Sequence, residues 1–273
     1  MRGHNRFEIV LCLTAGFLAL SSFSFPLVGS DPQIDIDRID LDGVWAFVQS
    51  LPEIDVLPVA GEVKLTSTVG LIVSLTQEGT TVTIDGTYCL TKVDAGTPLV
   101  EVEIPEAFVD SLFLAAQTAS LMSSDEGIFL VQGWYTEVRG ASLEDPENDP
   151  LPESADDPRI VDQDGDGKPG MTVNAAILGI VEGERYIANR IRYRFTGELI
   201  DPDTIVGRIE WYSEETTLGA SNPILAAAIT ELPYPDPDGY RFVLKRFDRS
   251  FTCADLHDHL DELVRLACPD GNE

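Results

Sequence analysis

The chain is poor in cations. It holds 18 Lys and Arg against 47 Asp and Glu among 273 residues, a formal net charge of −29, and only Lys64, Lys92, Lys168 and Lys245 are lysines. Such a surface repels phosphate backbones and anionic lipid headgroups, so nucleic acid and the membrane surface are excluded as expected partners and cations are favoured. Histidine is almost missing as well: His4, His257 and His259 are all there are. On a helix, positions i and i+2 point roughly 200° apart, so His257 and His259 do not share a metal. A serine or cysteine nucleophile finds no well-placed base. The signatures of the nucleophile elbow, the zinc protease, the P-loop and the dinucleotide site are all absent, and no repeat of fixed period appears. With so many acids a glycosidase-type carboxylate pair stays open, but the sequence singles none out.

What is present begins with an export signal. Arg2 and Arg6 precede an apolar run at 9–20, and Val28-Gly29-Ser30 offers a small-residue cleavage site, so residues 1–30 read as a signal peptide and the mature chain starts near Asp31. An uncleaved anchor is the alternative, because residues 9–28 carry no charge over a length that can span a bilayer. Export makes disulfides available to Cys89, Cys253 and Cys268. "TCADLHDHLDELVRLACPDG" reads as a helix over 253–268: Thr252 is the N-cap with Asp255 three on, and Leu256, Leu260, Leu263, Val264 and Ala267 form the stripe. Cys253 and Cys268 then lie at opposite ends, ~22 Å apart at 1.5 Å per residue, well past the ~7 Å that a bridge allows. Cys89 must take one of them. Cys253, at the exit of the last strand, is the expected partner; Cys268 is the alternative.

Between signal and helix the pattern is antiparallel β. Leu71, Val73 and Leu75 alternate, Glu78-Gly79 turns, and Val82 and Ile84 alternate again, which is a hairpin. Further strands are expected at 44–48, 63–68, 99–104, 128–138, 172–180, 185–199, 205–212 and 240–247. Two short helices are expected as well, opened by Pro105 and by Asn222-Pro223. About ten strands with short helices and a C-terminal amphipathic helix give a mainly β fold, an antiparallel barrel or sandwich over 31–252. Its two halves meet at an acidic, proline-rich stretch over 140–160, holding Pro146, Pro150 and Pro152 among acids and expected to be a solvated, extended connector. In "RYIANRIRYRFTG" Arg190, Arg192 and Arg194 share one strand face, while Arg208, Glu210, Tyr212 and Glu214 share a face in the following strand. Cross-strand pairing of the two rows is the favoured reading, over an anionic-ligand grip.

"VDQDGDGKPGMTV" places Asp162, Asp164 and Asp166 on alternate positions before the turn residue Gly167, with the Lys168 carbonyl as a fourth oxygen. This is the first half of an EF-hand-type loop; position 12 is Val173 rather than a bidentate Glu. Three carboxylates within ~5 Å repel by roughly 3 kcal/mol per pair at an effective dielectric near 20, so the loop wants a cation. Oxygen ligands on a flexible loop suit Ca²⁺, in a structural role. The motif resembles the calcium loops found outside true EF-hands in secreted bacterial proteins, and the run through "GRIEW" is similar to uncharacterised secreted bacterial proteins, which implies export and no activity.

Gly43-Val44-Trp45 in "LDGVWAFVQ" resembles the G-x-W that opens lipocalin-type barrels, and a helix after the last strand is similar to that architecture. The resemblance implies a barrel that binds a small apolar molecule inside. The expected role is therefore that of a secreted, non-enzymatic binding protein with a structural calcium loop. An extracellular carboxylate-dependent hydrolase and a structural envelope or surface protein are the alternatives.

Overall fold

The computed structural model describes residues 36–57, 59–227, 229–232 and 234–268. The expected signal peptide over 1–30 lies outside them. Among the described residues eleven strands form one antiparallel sheet: β1 (Gly43–Leu57), β2 (Gly61–Glu78), β3 (Thr81–Asp94), β4 (Val100–Glu103), β5 (Leu114–Ser124), β6 (Gly127–Arg139), β7 (Met171–Ile177), β8 (Val181–Asp201), β9 (Thr204–Ala220), β10 (Thr230–Leu232) and β11 (Arg241–Phe247). The pairings β8–β9 and β1–β11 close it into a ring. Around that ring the eight strands β1, β2, β3, β5, β6, β8, β9 and β11 follow chain order, which makes an up-and-down barrel. At ~3.3 Å per residue the 21-residue β8 is ~70 Å long, so the barrel has two tiers.

The lower tier is filled. Phe47, Phe195 and Phe242 meet edge-on or tilted, with ring centroids 4.8–5.6 Å apart, and Trp45, Leu71, Ile84, Leu130 and Ile205 pack around them. Trp45 of the G-x-W is fully buried, donates from Nε1 to the Leu41 carbonyl (3.0 Å), and carries the Arg246 guanidinium 4.7 Å over its ring. Gln77 ties the entering chain to this end by accepting from the Leu41 N–H (2.9 Å) and donating to the Ile39 carbonyl (3.0 Å).

In the upper tier the ring is built differently. β7 continues the line of β6 along β8: Arg139 is opposite Asn189 and Met171 is opposite Ile187. The chain therefore leaves one strand line at Gly140 and rejoins it at Gly170. The stretch expected to be an extended connector is a folded excursion. Leu151 and Pro152 are buried in it, Ala141 bridges to Ile160, and its two ends touch at Gly140 and Gly170. Proline and like charge blocked regular structure, but Leu151 still gains by burial. β4 then pairs with β7, and β10 with β1.

Outside the barrel, α2 (Cys253–Ala267) lies on β1, β2, β3 and β11, burying Leu256, Leu263 and Ala267 against Ala46, Val48, Leu90 and Val243. Thr252 and Asp255 form the capping box. Cys89 is bonded to Cys253 and Cys268 is free. The bridge is possible because β3 bulges at Cys89: Tyr88 is opposite Leu71 and Leu90 opposite Gly70, so Cys89 is the extra residue. The bulge reverses strand parity, turning Val82, Ile84 and Tyr88 inward below it and Thr91 and Val93 inward above it.

Three further expectations need correction. Residues 223–226 form a turn, not a helix; Asn222 caps it through its side-chain oxygen (Ile224 N–H, 3.1 Å), and of this stretch only Leu225 is buried. The helix after Pro105 is a single turn, α1 (Glu106–Asp110). β5, which follows it, is a full strand where none was expected.

Candidate binding cavity and metal centre

A cavity of about 160 Å³ occupies the upper tier. Strand alternation lines it: along β1 the inward row Trp45, Phe47, Gln49, Leu51 continues as Glu53, Asp55 and Leu57. Arg185 and Asn189 come inward from β8, Trp211, Ser213 and Glu215 from β9, and Arg139 from β6. Phe108 of α1 and Ile104 complete the wall where β3 and β4 diverge. Apart from Ser67 and Thr91, the remaining lining is aliphatic. Glu53, Asp55, Arg139, Arg185 and Glu215 make this interior more ionic than the apolar one expected of a lipocalin-like barrel.

A polar belt floors the cavity. The Tyr88 hydroxyl donates to Glu137 Oε2 (2.7 Å) and Arg139 Nε donates to Glu137 Oε1 (2.6 Å). Beside them Gln117 Nε2 donates to the Tyr193 hydroxyl (2.9 Å). Burial and then the Glu137 charge push the Tyr88 hydroxyl well above its ordinary range; burial opposes the Arg139 charge, but Glu137 and Tyr88 hold it in place. Arg185 is equally committed: its guanidinium donates to Glu215 Oε1 (2.9 Å), Thr217 Oγ1 (2.7 Å) and the Leu225 carbonyl (3.2 Å).

Asp55 is different. It is 8% exposed, and its Oδ1 is buried with no protein donor among the described residues. Burial first, then the Glu215 charge, raise its carboxyl from 3.8 to about 6, with Arg185 opposing. An acid whose folded value lies above its unfolded one binds its proton more tightly when folded. This group's contribution to stability is therefore full below about pH 4 and is lost as pH rises through about 6. The difference amounts to at most ~3 kcal/mol at 1.36 kcal/mol per unit. Asp55→Asn removes the buried charge and keeps the shape, so urea melts are expected to show it 1–3 kcal/mol more stable than the parent at pH 8, in line with ~1.4 kcal/mol per pH unit, and nearly equal at pH 4. A variant less stable than the parent at pH 8 rules this out.

The second site closes the excursion. Asp162, Asp164 and Asp166 each bring a carboxylate oxygen within 4.8 Å of the others. The loop is organised from inside: Asp162 accepts from the N–H groups of Asp166 (3.1 Å) and Gly167 (3.0 Å), and Asp166 accepts from the Lys168 N–H (2.7 Å) and the Thr172 hydroxyl (2.6 Å). Asp164 Oδ2 takes the Thr172 N–H (2.8 Å), while its Oδ1 is buried without a protein donor among the described residues. Burial, and then the charges of Asp166 and Asp162, raise the Asp164 carboxyl. A buried anionic oxygen without a donor, in a set of hard oxygen ligands, fits a divalent cation. The Lys168 ammonium points away, 5.5 Å over the Tyr186 ring. Gln163 sits in the same loop and anchors it, accepting from the Gly140 N–H (2.8 Å) and donating to the Ser111 carbonyl (3.1 Å).

The other singled-out residues are structural. Arg190 pairs with Glu214, and Arg194 with Glu210 (2.7 Å), so two of the three arginines in the row form cross-strand ion pairs. Trp134 covers the row, with Arg192 and Arg194 5.5 and 4.8 Å from its ring. His259 Nδ1 donates to the Asp255 carbonyl (2.8 Å) and lies edge-on to Phe247 and Phe251. Sequence reading missed Asp55, Glu215 and Arg185 as site residues; the signal for Asp55 was the unbroken odd-numbered inward row from Trp45 to Leu57. Among the described residues no helix is long and apolar enough to cross a membrane. Comparison with protein families, with curated proteins and with solved structures finds no match to this chain.

Proposed function

We propose that this protein is an exported binding barrel that holds a small molecule in its upper-tier cavity, with a calcium ion as a structural clamp at the base of the excursion. The observation that carries the reading is the division of one barrel into a filled lower tier and a hollow upper tier lined by apolar walls and a set of polar and charged side chains. The Cys89–Cys253 bridge supports an oxidising, extracytoplasmic location. Trp211 lines the cavity and reports on it: its fluorescence is expected to respond to benzyl alcohol in the parent and to stay unchanged in Ala175→Trp, read against its own baseline, whose indole fills the space. The same response in both proteins would place binding elsewhere.

The calcium clamp has its own measurement. Asp162, Asp164, Asp166 and the Lys168 carbonyl would hold the ion, which supplies charge neutralisation and no chemistry. A ligand at a hundred times its Kd stabilises by about 2.7 kcal/mol, so the melting temperature is expected to rise by ~5–10 °C between EDTA and saturating Ca²⁺. Asp164→Asn should abolish most of that rise. Melts that coincide in EDTA and millimolar Ca²⁺ would sink the clamp.

A carboxylate-dependent hydrolase is the second reading, favoured only by Asp55 and Glu215 facing one cavity with Asp55 raised. About 160 Å³ is close to the volume of a benzene-sized cavity, too little for a sugar ring with its leaving group.

A further inference from the structure

The cavity has an excess of acceptors. Among the described residues, three buried side-chain atoms of its lining are left without a protein partner, and all three are oxygens: Asp55 Oδ1, Asn189 Oδ1 and Thr91 Oγ1. The lining's cations do not serve them, because Arg185 is spent on Glu215, Thr217 and the Leu225 carbonyl, and Arg139 on Glu137. Charge runs the same way. Glu215 is paired with Arg185 and Arg139 with Glu137 on the floor, which leaves the Asp55 carboxylate in the lining without an ion-pair partner among the described residues. A buried carboxylate that weakens the fold when ionised persists where a ligand makes use of it. The remaining walls, Leu51, Leu57, Leu65, Val69, Ile177 and Leu225, are apolar.

We infer that the ligand is a small monoamine, its ammonium seated against Asp55 and its apolar body against the aliphatic walls. An ammonium brings N–H donors to the orphaned Asp55 oxygen, together with the positive charge that this carboxylate lacks. About 160 Å³ limits the body to roughly a benzene ring or a short branched alkyl chain. The acidic exterior raises the local concentration of such a cation. This inference rests on the small-molecule reading above and narrows it to a chemical class.

Titration calorimetry at pH 7.5 with benzylamine, benzyl alcohol and ammonium chloride tests it on the intact exported protein. Benzylamine is expected to bind at least 10-fold tighter than benzyl alcohol. In Asp55→Asn that preference should collapse to within about threefold while benzyl alcohol binds as before, which also shows that the variant is folded. Glu215→Gln, which leaves Asp55 in place, should keep the order of affinities. Equal affinity for amine and alcohol in the parent, or a preference that survives Asp55→Asn, overturns the amine and leaves a neutral-ligand cavity standing. Ammonium ion displacing benzylamine at matched concentration overturns the apolar body and points to a bare cation site. Binding of none of the three overturns the amine and the small-molecule reading together.

Discussion

Gly170→Ala is expected to destabilise the protein by roughly 3–5 kcal/mol in urea denaturation, among the largest effects of a single methyl group. Two penalties coincide. Gly170 has φ +85°, a left-handed conformation that costs a residue with a Cβ about 1–2 kcal/mol. An added Cβ would also stand 2.2 Å from the Ile187 carbonyl oxygen and 2.8 Å from Leu218 Cδ1, and the first of these is backbone in a paired strand that cannot yield. Gly140 meets the same obstacle from the other side, with its Cβ position 2.7 Å from that oxygen and 2.9 Å from Gly170 Cα. Gly165, at φ +72° with nothing within 4 Å, is the control: its alanine variant should lose only about 1 kcal/mol, the left-handed penalty alone. If Gly165→Ala and Gly170→Ala prove equally costly, the contact at the neck of the excursion is not what holds it.

Removing the disulfide is the second large effect. Cys89 and Cys253 are 164 residues apart, so the bridge restricts about three fifths of the unfolded 273-residue chain. Loop-closure entropy puts its contribution near 5 kcal/mol, and measured values fall below such figures, so roughly 3–5 kcal/mol is expected. For a chain of this size that is a fall of about 10–15 °C in the melting temperature of Cys89→Ala/Cys253→Ala, or of the parent under reducing conditions. Cys268→Ala should melt with the parent, because that thiol is free and half-buried. A double variant within about 2 °C of the parent would mean that helix packing alone fixes α2.

These features differ in how far the sequence announced them. The Leu71–Ile84 hairpin, the capping box at Thr252 and Asp255, and the Arg/Glu face of β8 and β9 were legible, because each rests on a local period of 2 or 3.6. The aspartate loop was legible for the same reason: its three carboxylates are sequence neighbours. Helix length excluded a Cys253–Cys268 bridge, and the place of Cys253 at the exit of the last strand chose it for Cys89, although the bulge that aims Cys89 was hidden. The first strand was expected over 44–48, and β1 runs on to Leu57; Pro52 is tolerated because it falls between the runs paired with β11 and β10. β5 was missed because "LAAQTASLMSS" is small and polar, and its strand state comes from the partners on either side. The Ala-rich turn after Asn222 has helix propensity but only Leu225 to bury. The cavity was not legible. Asp55, Arg185 and Glu215 are charged residues far apart in sequence, and only barrel closure turns them toward one another.

That closure also bears on kinetics. Residues 44–50 of β1 pair with 241–247 of β11, the first strand with the last, and β8 receives β6, β7 and β9. Nearly the whole chain must be in place before the last seam forms, so folding is expected to be slow by the measure of contact order. The same seam makes the barrel slow to open. Local fraying of one strand does not release its neighbours, and the opened state is separated from the native one by a barrier that spans the ring. Persistence of the folded form then depends on a rate as much as on an equilibrium.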